Sequence, residues 1–149
     1  MAKMNKTQAK FLYYAQLINL IVSDTEAEQD QMSPKFTALK DALEAGSVAD
    51  FDADEYAKTK ASFADGTDHY QGMLQKLEDA KVPARLMGNH KLLTNAFRDF
   101  TQGCQNMVDS LHDDPASFDQ AAFLKAEADQ DAASERLMKY IQKLSSMMG

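Results

Sequence analysis

The side chains best suited to catalysis or metal binding are three histidines, one cysteine and several clustered carboxylates. The histidines are His69, His90 and His112, and the cysteine is Cys104. Imidazole and carboxylate groups transfer protons and bind metal ions, and a cysteine thiolate is a strong nucleophile. Each of these chemistries needs several such groups to converge, so their spacing along the chain is the first test.

The histidine spacing argues against a carboxylate-bridged di-iron centre, which some helical bundles carry. Such a centre needs two Glu-x-x-His pairs and two further glutamates. No histidine here has a glutamate three residues before it, and the nearest pattern, Asp109-x-x-His112, has no second copy. On one helix, His90 and His112 would share a face but lie about 33 Å apart, too far to hold one ion. We therefore expect no metal and no other cofactor.

The run Asp50-Phe-Asp52-Ala-Asp54 matches the opening of a calcium-binding loop. A complete loop needs glycine at its sixth position and a bidentate glutamate at its twelfth. Those positions hold Glu55 and Ala61. Because helix capping explains the same aspartates, the sequence favours a helix start over a calcium site.

Cys104 and His90 fall at apolar positions of a helical pattern, which favours structural roles for both. A reactive thiolate needs positive neighbours and access to water, and no basic residue lies within five positions of Cys104. We expect Cys104 to be buried and inert and His90 to satisfy a nearby carbonyl. The chain also has no glycine-rich phosphate loop, nucleophile elbow or Cys-x-x-Cys pair. No residue set argues for an enzyme, and the sequence by itself names no activity.

The apolar pattern that contains these two residues predicts one long helix packed along a single seam. Its members follow one another at spacings of three or four, without a miss: Leu86, His90, Leu93, Phe97, Phe100, Cys104, Met107 and Leu111. This periodicity is typical of a helix that packs on other helices. The sequence therefore predicts an all-α protein.

A first apolar stripe predicts a helix from about Lys6 to Met32. Proline is unfavourable inside a helix, so Ser33-Pro34 predicts either a break or a kink. The apolar residues that follow, as far as Gly46, keep the phase of the first stripe. The sequence leaves both alternatives open.

Capping signals predict where two other helices begin. Asp52 is a suitable cap, with Glu55 placed to complete a capping box and Phe51 placed to pack on Tyr56. Ser117-Phe-Asp-Gln120 is a second capping-box pattern, and it predicts the start of the last helix.

The predicted connections are short and the helices are long, which makes neighbouring helices antiparallel. Pro83 begins the third helix and the fourth runs to about Met147. We predict that residues 1–149 form a single domain, an antiparallel up-down four-helix bundle with a short or kinked extra segment after Pro34.

One layer of the predicted core is small or polar where the others are large and apolar. It contains Thr25, Gln29, Thr59, Cys104 and Gln130. A buried amide without a partner costs about 1–3 kcal/mol, so the layer needs an explanation. Three explanations are open. The layer sets the helix register, or it lines a small pocket or water-filled gap, or the helices splay apart at this height and Gln130 faces solvent.

Composition excludes some classes of function. The 149 residues carry a net charge of −7, which disfavours nucleic-acid binding because nucleic acids attract basic surfaces. No stretch reaches the length of about 20 apolar residues that a membrane helix needs. A single cysteine is compatible with the cytoplasm. A piece of an extracellular protein would have the same composition.

We expect a non-enzymatic structural or interaction protein whose helix faces dock a protein partner or a second copy of the chain. The alternative is a small-ligand carrier or sensor that uses the polar layer of Thr25, Gln29, Thr59, Cys104 and Gln130. A pocket of several hundred Å³ lined by that layer would favour the carrier. A contiguous exposed apolar patch would favour the docking protein.

Overall fold

A computed structural model describes residues 5–149 of the chain. It contains four long helices, α1 (Lys6–Glu44), α2 (Ala53–Glu78), α3 (Met87–Leu111) and α4 (Gln120–Met148). Single 3-10 turns at Val48–Asp50, Ala84–Leu86 and Pro115–Ser117 lie in the three connections. The described residues form no strand, and the prediction of an all-α, up-down four-helix bundle is confirmed. None of these helices is long and apolar enough to cross a membrane.

The first helix continues through Pro34, so the predicted alternative of a break is wrong. Proline removes one helical hydrogen bond and costs about 3 kcal/mol inside a helix. Pro34 lies on the exposed side of α1, where water can bond the carbonyl that loses its partner. Beyond it, Leu39 and Leu43 are buried, and each contributes about 1.5–3 kcal/mol. Burial of the same apolar face on both sides of Pro34 therefore offsets the cost of continuing the helix.

The start of α2 follows the sequence signals closely. The Asp52 carboxylate accepts a hydrogen bond from the Glu55 backbone N–H at 2.9 Å, and the Phe51 ring packs edge-on against Tyr56 with 6.4 Å between centroids. The Glu55 carboxylate contacts Lys58 at 3.6 Å and Lys35 at 3.9 Å. The cap and the apolar contact are confirmed, but the predicted capping box is wrong, because the Glu55 side chain does not accept from the Asp52 backbone N–H.

The start of α4 differs from the prediction. Ser117 does not cap this helix, because it completes a capping box with Asp114 around the preceding 3-10 turn. The backbone is extended at Phe118, so a helix cannot pass through it. Asp119 caps α4 instead, accepting from the Ala122 backbone N–H at 3.0 Å.

The core consists of two clusters stacked along the bundle axis. The lower cluster lies at the end where α1 and α3 begin and includes Tyr14, Ile18, Ile21, Tyr70, Met73, Leu77, Leu86, Leu93, Ala96, Phe97, Phe100, Cys104, Ala133, Leu137 and Leu144. The upper cluster includes Leu39, Leu43, Val48, Tyr56, Phe63, Met107, Val108, Leu111, Phe123 and Ala126. Met32 packs against both clusters. At the junction between the two clusters, polar side chains lie among the apolar ones.

Candidate ligand-binding cavity

A cavity of about 250 Å³ lies at the junction of the two clusters. All four helices contribute to its lining, which consists of Gln29, Met32, Ser33, Phe36, Phe63, Thr67, Cys104, Met107, Glu127, Gln130 and Asp131. It lies between α1 and α4, while α2 and α3 supply its inner wall. Most of its wall area is apolar, and six of its eleven lining residues carry polar or charged side chains.

Two mid-helix glycines explain why space is left at this height. A Cβ atom on Gly66 of α2 would lie 2.4 Å from Met32 Sδ of α1. A Cβ on Gly103 of α3 would lie 2.8 Å from Gln130 Cγ of α4. Each glycine therefore allows a close approach within one helix pair, α1 with α2 and α3 with α4. The gap remains between the two pairs, on the side where α1 faces α4.

The upper edge of the cavity is closed by contacts between α1 and α4. Lys40 Nζ forms an ion pair with Glu127 Oε1, and both side chains are largely buried. The Phe36 and Phe123 rings stack with 5.9 Å between their centroids. These contacts hold α1 and α4 together above the cavity. The ion pair also neutralises the charge of the Glu127 carboxylate.

Two polar side chains of α4 lie at the mouth below this closure. Gln130 is half-buried, and its Nε2 donates to the Gly103 carbonyl of α3 at 3.0 Å. Because that carbonyl can only accept, the amide orientation is fixed and Gln130 Oε1 is left as an acceptor. Asp131 is exposed and forms no ion pair with any residue between 5 and 149.

The inner wall offers little reactivity. The Thr67 hydroxyl is occupied, since it donates to the Phe63 carbonyl of its own helix at 2.8 Å. Burial raises the pKa of the Cys104 thiol to about 12, so the thiol stays protonated at neutral pH and is a poor nucleophile. The prediction that Cys104 is buried is confirmed.

Behind Cys104, the Tyr70 hydroxyl is the single buried side-chain polar atom without a hydrogen-bond partner in the part of the chain that the structure describes. Its ring packs edge-on against Phe97 and Phe100. Burial raises the pKa of Tyr70, and so do the nearby Cys104 and Glu28 side chains. The upper edge of the lower cluster, next to the junction, therefore contains a polar group that has no partner among the described residues.

The structure brings together three of the five residues of the predicted polar layer. Gln29, Cys104 and Gln130 line the cavity. Thr25 lies outside it, and its hydroxyl contacts the Met73 sulfur at 3.5 Å. Thr59 also lies outside, two helical turns from Thr67, and its hydroxyl bonds the Glu55 carbonyl at 2.8 Å. The prediction chose residues of α3 and α4 at the height of the cavity, but on α2 it chose Thr59, which lies two turns from the lining residue Thr67.

The other lining residues were not predicted, namely Met32, Ser33, Phe36, Phe63, Thr67, Met107, Glu127 and Asp131. Most of them read as ordinary core or surface positions in the sequence. The available signal was the pair of glycines in the helix interiors, Gly66 and Gly103, since glycine is unfavourable there unless close packing requires it.

The histidines lie away from the cavity and from one another. His90 is buried in the lower cluster, where its Nε2 donates to the Leu77 carbonyl at 2.8 Å and its Nδ1 accepts from the Tyr14 hydroxyl at 2.7 Å. This confirms that His90 satisfies a nearby carbonyl. Both ring nitrogens are bonded in the neutral form, and burial lowers the pKa of His90.

The other two histidines are exposed. His69 Nδ1 pairs with the nearly buried Glu28 carboxylate at 2.8 Å, and this hydrogen bond raises the pKa of His69. His112 ends α3 with a φ of 53°, and its carbonyl accepts from Lys60 at 2.7 Å. Among residues 5–149, no three histidine, cysteine, aspartate or glutamate side chains lie together as metal ligands would.

Comparison of the chain with protein-family models, with curated proteins and with solved structures gives no match. The function proposed below therefore follows from the geometry of the molecule alone.

Proposed function

We propose that the protein is a non-catalytic binder of a small amphipathic molecule, which occupies the cavity between α1 and α4. The observation that carries the proposal is the cavity itself, an apolar space with polar groups at its mouth. Its volume of about 250 Å³ is slightly below the roughly 300–1,000 Å³ of typical ligand pockets. The ligand is therefore small, with a single ring or a short branched chain.

The shape of the junction supports binding. The space is partly open to solvent on the side where α1 faces α4, so a small molecule can enter it, and all four helices contribute side chains that would contact the molecule.

A pair of matched variants tests the proposal. Ser33→Phe places a ring at the cavity mouth, where Ser33 is exposed and lines the cavity. Ser23→Phe makes the same change on the outer side of α1, away from the cavity. The neutral probe 2-phenylethanol is titrated into each protein and followed through the methionine methyl signals in NMR.

We expect the probe to shift the Met32 and Met107 methyl signals in the unmodified protein and in Ser23→Phe, but not in Ser33→Phe. Circular dichroism checks that all three proteins are equally helical. The proposal is overturned if the unmodified protein shows no shift at these methyls, or if Ser33→Phe binds as well as Ser23→Phe.

A second candidate function is protein docking through the outer face of α1. Residues 11–23 contain no charged side chain, although part of this segment faces solvent. Leu12 is 42% exposed, Tyr13 68% and Leu20 42%, and such apolar surface commonly marks a contact site. The simplest occupant is a second copy of the chain, because a matching uncharged helix face is then present on both partners.

Sedimentation equilibrium of the unmodified protein, Leu20→Lys and Asn19→Lys tests this second candidate. Both substitutions add one positive charge to the exposed side of α1, but only Leu20→Lys removes an apolar side chain. A dimer that dissociates in Leu20→Lys and persists in Asn19→Lys supports self-association. A monomer at every concentration rules it out.

A further inference from the structure

We infer that the cavity takes a monocation, specifically a primary ammonium group carried on an aromatic or branched apolar body. This inference rests on the proposed function and specifies the chemical class of the ligand. It follows from the polar groups that the fold leaves unpaired at the cavity mouth.

The mouth presents acceptors and a net negative charge. Glu127 and Lys40 neutralise each other through their ion pair. Asp131 has no such partner among the described residues, so its charge remains available to a ligand. A ligand carboxylate placed here would meet a like charge, whereas an ammonium group would gain a charge-assisted hydrogen bond.

Gln130 adds a second acceptor to the α4 side of the cavity lining. Its Nε2 is held by the Gly103 carbonyl, so the amide cannot rotate to offer its N–H groups to a ligand without losing that bond. Its Oε1 is therefore the atom available to a ligand donor. An ammonium group, which has three donors and no acceptor, suits these two groups together.

The walls inside the mouth suit the apolar body of such a ligand. Phe36 and Phe63 offer aromatic surface, and Met32 and Met107 offer flexible thioethers that adapt to a ring. Aromatic faces also attract a nearby cation. None of the described lining residues is cationic, and Glu127 holds the neighbouring Lys40. The interior thus favours an apolar group and the mouth favours a positive one.

Three probes of similar shape separate the charge preference from binding itself. They are 2-phenylethylammonium, 2-phenylethanol and 3-phenylpropionate, each titrated by NMR and by calorimetry at low ionic strength. We expect the ammonium to bind about tenfold more tightly than the alcohol, as one charge-assisted hydrogen bond provides. We expect no measurable binding of the carboxylate.

Asp131→Asn and Asp129→Asn provide the matched control. Both residues lie on α4, both are exposed, and each substitution removes one negative charge. Asp129 is paired with Lys125 at 2.7 Å and does not line the cavity. We expect Asp131→Asn to weaken ammonium binding about tenfold and leave alcohol binding unchanged, and Asp129→Asn to change neither.

The outcomes distinguish the two proposals. If the alcohol binds as tightly as the ammonium, if the carboxylate binds at least as tightly, or if both aspartate variants behave alike, the cationic ligand class is wrong and the cavity remains a binding site. If none of the three probes binds, the proposed function itself fails.

Discussion

The lower cluster and the junction above it both place polar side chains inside the bundle, but they use them differently. In the lower cluster, His90 of α3 bonds Tyr14 of α1 and the Leu77 carbonyl of α2, so one side chain joins three helices. At the junction, Thr67 bonds within its own helix, and just below it the Tyr70 hydroxyl, at the upper edge of the lower cluster, has no partner among the described residues. Gln130 bonds α3 there, and Glu127 pairs with Lys40 of α1 at the upper edge of the cavity.

This difference shows how side-chain hydrogen bonds can join the helices at one end of a bundle while space is left between them in the middle. A satisfied buried network stabilises a single arrangement, because every alternative leaves a polar group without a partner. Hydrogen bonds within a helix impose no such restriction on neighbouring helices. Below the Lys40–Glu127 ion pair, the junction therefore leaves space between α1 and α4.

Replacing the central polar residue of each region by leucine gives the largest expected contrast. His90→Leu leaves the Tyr14 hydroxyl and the Leu77 carbonyl without their partner, and we expect the free energy of unfolding to fall by about 3 kcal/mol. Gln130→Leu removes one hydrogen bond at a half-buried site, and we expect the free energy of unfolding to change by no more than about 1 kcal/mol. Urea unfolding of both variants measures the difference, and equal losses would contradict the contrast.

Removing a bonded hydroxyl deep in the lower cluster and an unbonded one next to the junction sharpens the same comparison. Tyr14→Phe leaves His90 Nδ1 unbonded in the core, so we expect a loss of about 1–2 kcal/mol in the free energy of unfolding. Tyr70→Phe removes a hydroxyl that has no partner in residues 5–149. We therefore expect the free energy of unfolding to stay the same or to rise slightly. Thermal and urea unfolding should agree, and a costly Tyr70→Phe would indicate that its hydroxyl is bonded in solution.

Glycine-to-alanine substitutions test the close approaches that frame the cavity. In Gly103→Ala the new Cβ meets Gln130 Cγ and the α4 backbone, and we expect a loss of about 1 kcal/mol after the gain in helix propensity. In Gly66→Ala the new Cβ meets the flexible end of Met32 and the Glu28 carboxylate, so we expect a smaller loss in the free energy of unfolding than for Gly103→Ala.

Gly72→Ala is the control for both glycine variants. A Cβ on Gly72 meets no atom within 4 Å, so we expect stabilisation of up to about 1 kcal/mol from helix propensity alone. If Gly103→Ala were as stabilising as Gly72→Ala, the close approach of α3 and α4 would not require a glycine.

The two paired histidines should respond to pH with opposite signs. The pKa of His90 is lowered by burial from 6.5, so its contribution to stability is present above pH 6.5 and is lost as the pH falls through its folded pKa. The pKa of His69 is raised by the Glu28 hydrogen bond, so its contribution is present below pH 6.5 and is lost as the pH rises through its folded pKa.

NMR titration of the imidazole signals tests this prediction directly. We expect the His69 midpoint above 6.5 and the His90 midpoint below it. In His69→Gln, only the His90 contribution remains, so acidification from about pH 8 to about pH 5 should destabilise the variant more than the unmodified protein. A reversed order of the two midpoints would show that His90 is not bonded as described.

The elements most accurately predicted from the sequence depend on local or strictly periodic signals. Every seam position of α3 from His90 to Leu111 is buried, because a spacing of three and four residues places those side chains on one face whatever packs there. The Asp52 cap is equally local. The cap of α4 was misassigned because Ser117 and Asp119 are both plausible caps, and the choice depends on the neighbouring Asp114 turn.

The cavity was harder to predict because it depends on the relative heights of helices. Gln29, Cys104 and Gln130 were named from the sequence, but Thr59 lies two turns away from the cavity-lining Thr67. Sequence periodicity gives the buried face of each helix and says nothing about axial offset. That offset is set by the connections and by which side chains interlock.

The sequence by itself determined the helices and their buried faces. Those properties follow from residue type and spacing within one helix, where the geometry is fixed at 3.6 residues per turn. Only the tertiary structure decided that α1 continues through Pro34, that His90 joins three helices, and that Asp131 and Gln130 meet Met32 and Phe36 across one cavity. Each of these results depends on contacts between distant segments, and their energies compete with local preferences that the sequence alone displays.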